Sequence, residues 1–189
     1  RERRLFPVMC ASGLHNIGAD LILNFALDYL PTPAERAPLA ATANGQQVTR
    51  AISDSGAVAL FVFKTVADPF SGRLSYFKVC SGVLKNDHNL VNHRSGASER
   101  LSHIGCLLGK TIQPVTEMHA GDIGAVAKLK ETLTADTLSE KNAPIAFPPV
   151  KLPEPSIAYA IQASSRQDED RMGNAVQKIL EEDQSLRFY

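Results

Sequence analysis

Two clusters of proline limit what this chain can fold into: Pro31, Pro33 and Pro38 near one end, and Pro144, Pro148, Pro149, Pro153 and Pro155 near the other. Proline lacks a backbone donor and restricts the residue before it, so neither cluster can lie inside a helix or a central strand. Each reads as a linker, which leaves three segments to be assigned separately.

The first segment opens with a short apolar run, Phe6 to Cys10, predicted as a strand. A turn at Ser12-Gly13-Leu14 follows, and then a helix from about Ile17 to Leu30. Leu21, Ile22, Phe25, Ala26, Tyr29 and Leu30 recur at helical spacing and give that helix one apolar side. A strand and a helix alone bury too little surface, so the pair reads as the last strand and last helix of an α/β domain.

The middle segment, about Val48 to Phe147, is rich in β-branched and turn residues, and its apolar runs are short. Strands are predicted at Ala57–Val66, Arg73–Leu84, Leu90–Asn92, Arg100–Leu107, Ile123–Lys128 and Asp136–Leu138. From Arg73 to Cys80 polar and apolar residues nearly alternate, the period of a half-buried strand, and Asp68-Pro69-Phe70-Ser71-Gly72 is a turn by composition. Many short strands separated by turns predict a closed antiparallel barrel, which leaves no exposed sheet edge. The last segment alternates around Ile157, Tyr159 and Ile161 and then enters a helix ending near Glu182, capped by Ser164 or Ser165, with Asp168, Glu169 and Asp170 in its first turn. Met172, Ala175, Val176, Ile179 and Leu180 are its expected buried stripe. Leu186 to Tyr189 reads as another strand beginning. The fold class expected is therefore mainly β, a barrel flanked by two α/β pieces.

Charge and cysteine content exclude several classes of function. Lys plus Arg and Asp plus Glu both number 20, so the broad electrostatic footprint of a free-standing nucleic-acid binder is missing and any RNA contact must be local. Cys10, Cys80 and Cys106 show no CxxC spacing, which argues against a disulfide framework or a paired-cysteine zinc site and fits a reducing cytoplasm. His88, His93, His103 and Cys106 match no compact metal spacing, and nothing places a cysteine beside a histidine as a catalytic pair. No apolar run is long enough for a transmembrane helix, and the basic start Arg1-Glu2-Arg3-Arg4 lacks the apolar middle of a signal peptide. There is no initiating Met, and the simplest account is a stretch of a longer protein.

No G-x-x-x-x-G-K-[ST] phosphate loop and no guanine-reading N-K-x-D occurs in the sequence. Asp170-Arg171-Met172-Gly173 matches the magnesium-proximal D-x-x-G but falls inside the predicted helix, where it is a coincidence. One local imbalance stands out. Between Gly72 and Lys110 the basic residues Arg73, Lys78, Lys85, Arg94, Arg100 and Lys110 face only Asp87 and Glu99, six minus two or +4. Composition alone makes this a solvated barrel face; its other reading is a phosphate-contacting patch.

The stretch Ala67-Asp68-Pro69-Phe70-Ser71-Gly72-Arg73-Leu74-Ser75-Tyr76-Phe77-Lys78-Val79-Cys80-Ser81-Gly82-Val83-Leu84 closely resembles the second domain of elongation factor G. Ala120-Gly121-Asp122-Ile123 and Asp136-Thr137-Leu138 are similar to that domain's later strands. Phe147 to Asp183 resembles the entry into the third domain, and Phe6 to Pro33 the end of the GTPase domain. The resemblance implies a division into residues 1–37 (end of the GTPase domain and linker), 38–150 (the translation-factor barrel) and 151–189 (the truncated start of a ferredoxin-like domain). It implies a GTP hydrolase that moves messenger and transfer RNA through the ribosome in the cytoplasm, using GTP and Mg²⁺ in the full-length protein, while the chain itself, lacking the phosphate loop, is expected to be inactive. Ser12, Gly13 and Leu14 match the last guanine-nucleotide motif, with Gly13 at a position that is usually Ala. The implied partners are small-subunit ribosomal RNA and ribosomal protein, with Arg73, Lys78, Lys85, Arg94 and Arg100 as the RNA-contacting candidates. Departures at Ile104 to Val115, and Ala135 where the family usually has Gly, point towards a diverged paralogue acting in ribosome recycling or ribosomal protection. The competing reading is a free-standing, non-enzymatic ribosome- or RNA-binding module.

Overall fold

Asn44-Gly45 turns the chain back on itself at the start of the largest part of the molecule, with both residues at positive φ (50° and 78°), the geometry that two-residue hairpins require. The hairpin joins β1 (Leu39–Ala43) to β2 (Gln46–Arg50). In this computed structural model, which describes residues 5–68, 72–109 and 111–189, the chain forms two compact units, Arg1–Arg36 and Ala37–Tyr189.

After the hairpin come β3 (Ala59–Asp68), β4 (Gly72–Ser81), β5 (Leu84–Lys85), β6 (His88–Asn92), β7 (Ser98–Leu101), β8 (Gly105–Leu108), β9 (Thr111–Pro114), β10 (Glu117–Met118), β11 (Ile123–Ala127) and β12 (Thr137–Ser139). Eight of them form one antiparallel sheet in the order β7-β6-β12-β3-β4-β11-β8-β9, which curls into a half-barrel. A separate two-stranded ladder, β10 with β5, contributes Leu84 and Met118 to the same core. Alternation explains which side is which. Leu60, Val62, Phe77 and Val79 face the main core, while their neighbours Ala59 and Cys80 face a second, smaller cluster with Ala41, Ile145 and Phe147. The β1–β2 hairpin and the strand-like bridge Thr42–Ala146 thus cover part of the sheet's outer face.

The mainly β, antiparallel architecture matches the sequence reading, but among the described residues no ladder joins the end strands β7 and β9, so a half-barrel stands where a closed barrel was expected; the other differences are local. The strand expected over Arg100–Leu107 is two strands, because His103 at φ 57° breaks the extended run. The one expected over Arg73–Leu84 ends at Ser81, because Gly82 turns at φ 74°. The expected turn at 68–72 falls largely on residues outside those described.

The flanking pieces carry less regular structure than expected. Phe6 to Cys10 forms no strand: it is exposed and has no neighbouring strand among the described residues, so its backbone lacks a ladder. Helix α1 is Ala19–Tyr29, starting after Gly18 (φ 73°) because Ile17 pairs back with Ser12. None of its residues is buried: Leu21, Ile22 and Tyr29 on its apolar side are exposed, as are Leu23 and Leu27 across the helix, and Phe25 and Tyr29 stack with ring centroids 4.8 Å apart. At the other end, no strand forms around Ile157 to Ile161 or at Leu186 to Tyr189, for the same want of a partner strand. Helix α2 (Arg166–Glu182) is capped by Ser165, whose hydroxyl accepts the Asp168 N–H at 3.2 Å. Of its expected stripe, Met172, Val176 and Leu180 are half-buried and Ala175 and Ile179 are exposed.

Candidate functional site

Residues 12–17 form a narrow loop closed by a reciprocal backbone pair, Ser12 N–H to Ile17 O at 3.0 Å and Ile17 N–H to Ser12 O at 3.1 Å. The Ser12 hydroxyl accepts the His15 N–H at 3.3 Å, which leaves the N–H groups of Gly13 and Leu14 without a partner among the described residues. Leu14 is exposed, and a Cβ on Gly13 would meet nothing within 4 Å, so the departure from Ala at that position is sterically neutral. Gly18 is different: its φ is positive and a Cβ there would stand 2.9 Å from the Cys10 carbonyl oxygen, so only glycine fits. Two consecutive N–H groups without a partner among the described residues can donate to an acceptor such as a carbonyl oxygen, and the sequence has no phosphate loop. Asp170 to Gly173 lie within α2, where the backbone is committed to helical bonds.

The five basic candidates do not converge on one face. Arg73 and Arg94 both reach the loop between β11 and β12. Arg73 donates through Nη1 to the carbonyls of Lys130 (3.2 Å) and Thr132 (3.3 Å), and its Nη2 pairs with Glu181 at 3.0 Å. Arg94 binds Asp136 through Nε (2.7 Å) and Nη2 (2.9 Å), and Nη2 also donates to the Glu131 carbonyl at 2.7 Å. Arg100 pairs with Asp87 at 2.9 Å across an exposed turn near Lys85. Lys78 stands on the outer face of β4, between Phe61 and Ile123 in register. Among the described residues neither Lys78 nor Lys85 has an ion-pair partner.

Beneath the 130–136 loop lies a buried polar network that the sequence reading did not identify. Glu99 is buried within the strand and accepts the N–H groups of Lys130 (3.1 Å) and Glu131 (2.7 Å) and the hydroxyl of Thr132 (2.9 Å). Asp136 accepts from Asn92 and from the Leu133 N–H, each at 2.8 Å, besides Arg94. Burial pushes its carboxyl upward, but the hydrogen bonds from Arg94, Asn92 and Leu133 outweigh burial and hold it below the usual carboxylate range. Asp136 in turn raises the pKa of Arg94 and keeps it charged. A second, exposed clasp joins His119 Nδ1 to Asp54 at 2.9 Å, with the other Asp54 oxygen accepting the Ala120 N–H at 2.8 Å.

Among the described residues no three His, Cys, Asp or Glu side chains come together to hold a metal ion. Cys80 is buried, and burial pushes its thiol up to about 11, whereas Cys10 and Cys106 are exposed. No helix among the described residues is long and apolar enough to cross a membrane.

The family model for elongation factor G domain 2 matches residues 57–141, and that for elongation factor G domain III matches residues 152–189. The chain belongs to the elongation factor G family. A crystal structure from Thermus thermophilus is similar to it, with 32% identity and a TM-score of 0.76 over 95% of this chain and 25% of that one. This elongation factor G family chain thus spans about a quarter of the length of the solved structure it matches. The domain 2 match takes in the half-barrel strands, the buried Glu99–Asp136 network and the basic candidates from Arg73 to Arg100. The domain III match takes in α2 and, with it, the partner of Arg73.

Proposed function

We propose that this chain is the barrel-bearing part of a GTP-hydrolysing factor that drives translocation on the ribosome, with residues 1–37, 38–150 and 151–189 belonging to its GTPase, second and third domains. The observation that carries this reading is the family match running in order from the half-barrel into α2. In it, the barrel docks on the small subunit, and the unpartnered N–H groups of Gly13 and Leu14 meet the guanine carbonyl of GTP held by the GTPase domain. The phosphates and Mg²⁺ would be held by residues other than these, so the isolated chain should not turn over GTP.

The ion pairs divide the basic candidates. Among the described residues Lys78 and Lys85 have no ion-pair partner that would keep them from phosphate, and Arg100 is engaged in an exposed pair of the kind that contributes little. Arg73 and Arg94 spend their donors on the 130–136 loop and act through it. Sedimentation binding of the chain to small ribosomal subunits tests this as a function of salt. Each lost phosphate contact should lower the slope of log K against log salt by about 0.7–0.9. Combined Lys78→Glu, Lys85→Glu and Arg100→Glu should weaken binding and flatten that slope; unchanged affinity and slope would reject the RNA-docking reading. A role in recycling or ribosomal protection is the second reading, supported by Ala135, which sits at φ 69° where the family usually has glycine.

A further inference from the structure

Of the chain's asparagines only Asn44 is followed by glycine, and it stands at the exposed tip of the β1–β2 hairpin. Other asparagines are held in place. Asn86 donates through Nδ2 to the Val115 carbonyl at 2.8 Å and accepts the Ile104 N–H at 3.0 Å, and buried Asn92 donates to Asp136 at 2.8 Å. Asn16 shares the positive φ of Asn44, but it precedes β-branched Ile17, whose N–H is bonded to the Ser12 carbonyl at 3.1 Å. None of these restraints acts at the hairpin tip. Among the described residues neither the Asn44 side chain nor the Gly45 N–H has a hydrogen-bond partner, and a Cβ at position 45 would meet nothing within 4 Å. A backbone nitrogen that is unbonded and belongs to a glycine can swing towards the side-chain carbonyl carbon of the residue before it, and fraying of a hairpin tip supplies the motion.

The same turn tolerates no change in chain length. Asn44 and Gly45, at φ 50° and 78°, fill the two left-handed positions of a two-residue loop, and that loop sets the register Ala43 to Gln46, Ala41 to Val48 and Leu39 to Arg50. On its inner side the hairpin lays Leu39, Ala41 and Val48 over Ala59 and Cys80, which are buried beneath it. Outside its own ladder, β1 is held by one reciprocal backbone pair, Thr42 with Ala146 at 2.8 Å each way.

We propose that Asn44 is a site of covalent self-modification, at which the chain converts its own amide to isoaspartate and thereby loosens the hairpin that covers Cys80. The Gly45 nitrogen gives up its proton as it bonds to Asn44 Cγ, the Cγ–Nδ2 bond breaks, and Nδ2 leaves as ammonia with that proton. Water then adds across one carbon–nitrogen bond of the cyclic imide, which restores an N–H and leaves a carboxylic acid that ionises. Nothing is oxidised or reduced. Where water cleaves the bond to the Asn44 main-chain carbonyl, the backbone afterwards runs through Cβ and Cγ and is one carbon longer, so the two-residue loop no longer fits its strands. The inference is independent of the ribosomal reading, because neither ribosome nor nucleotide takes part.

The test uses the full chain with Cys10→Ser and Cys106→Ser, so that Cys80 alone reports, and compares fresh protein with protein aged in mildly alkaline buffer. Peptide mass mapping should show a gain of about 1 Da at Asn44, with backbone fragmentation assigning isoaspartate. Conversion should be several-fold faster in mildly alkaline than in mildly acidic buffer, because the attacking nitrogen must lose a proton. In the isoaspartate form, separated by chromatography, iodoacetamide should modify Cys80 at least about five-fold faster than in the fresh chain. Freshly made Asn44→Asp carries the charge without the extra carbon and should protect Cys80 as the fresh parent does. Asn44→Gly keeps both left-handed positions without an amide, and on ageing it should neither gain mass nor expose Cys80. An aged parent chain with Asn44 unconverted overturns the site. Equal protection of Cys80 in the isoaspartate form, or equal exposure in fresh Asn44→Asp or aged Asn44→Gly, overturns the loosening.

Discussion

Arg94 offers the sharpest separation between holding the fold together and contacting RNA. Replacing it with Gln removes two bonds to Asp136, at 2.7 and 2.9 Å, and one to the Glu131 carbonyl at 2.7 Å. The Asp136 side chain is 4% exposed, so the carboxylate stays buried with only Asn92 and the Leu133 N–H to satisfy it. Charge-assisted bonds of this kind contribute about 1.5–3 kcal/mol each. The Arg94 side chain, however, is 50% exposed, and solvent screening takes a large part of that. A loss of roughly 2–3 kcal/mol remains, or a fall of about 5–10 °C in Tm for a chain of this size. Urea titration should show the loss in midpoint with an unaltered slope, while Lys85→Gln, an exposed cation with no ion pair among the described residues, should stay within about 0.5 kcal/mol of the parent. The sign with pH follows from Asp136. Its carboxyl is depressed in the folded state, so its contribution is present above the ordinary carboxylate value of 3.8 and is lost as pH falls through the depressed one. The gap between parent and variant should therefore close in acid. An Arg94→Gln cost under about 0.5 kcal/mol at neutral pH would refute the structural role and return Arg94 to the RNA-contacting set.

Gly82→Ala should cost about 2–4 kcal/mol by urea titration, since its Cβ would enter a left-handed residue and stand 2.8 Å from the Gly56 carbonyl oxygen and the Val58 backbone. Ala135→Gly should instead stabilise the chain by roughly 0.5–1 kcal/mol, because φ 69° strains alanine more than glycine's added freedom costs; a destabilised variant would contradict this. The His119–Asp54 clasp should stabilise most between two limits. His119 is raised above 6.5 by its hydrogen bond to Asp54, so its contribution is full below that value and is lost as pH rises through the raised one. Asp54 is lowered below 3.8 by the Ala120 N–H and then by His119, so its contribution is lost in acid. His119 titration followed by NMR should shift back towards 6.5 in Asp54→Asn, and an unmoved midpoint would remove the clasp. A thiol reagent at neutral pH should modify Cys10 and Cys106 and spare Cys80 until the chain is unfolded.

Much of the fold was written into short-range pattern. Alternation along Arg73 to Cys80 marked the central strand, and Ser165 with the acidic turn after it marked the start of α2 within a residue. Asn44-Gly45 carried an equally direct hairpin signal that the reading of strands from Val48 onward overlooked.

Which cations were free could not be read in the same way. Arg73, Lys78, Lys85, Arg94 and Arg100 look alike as a run of charge, and only ladder register and loop placement bring Glu181 to the first and Asp136, 42 residues away, to the fourth. The runs at Phe6 to Cys10 and Ile157 to Ile161 make the complementary point. Their composition suits a strand, but a strand's backbone groups need a neighbour to bond, and none is present among the described residues. Local pattern determined where helices, strands and turns were possible in this protein; tertiary structure decided which of them formed and which charges remained available, because hydrogen bonds and ion pairs require a partner that folding must bring from elsewhere in the chain.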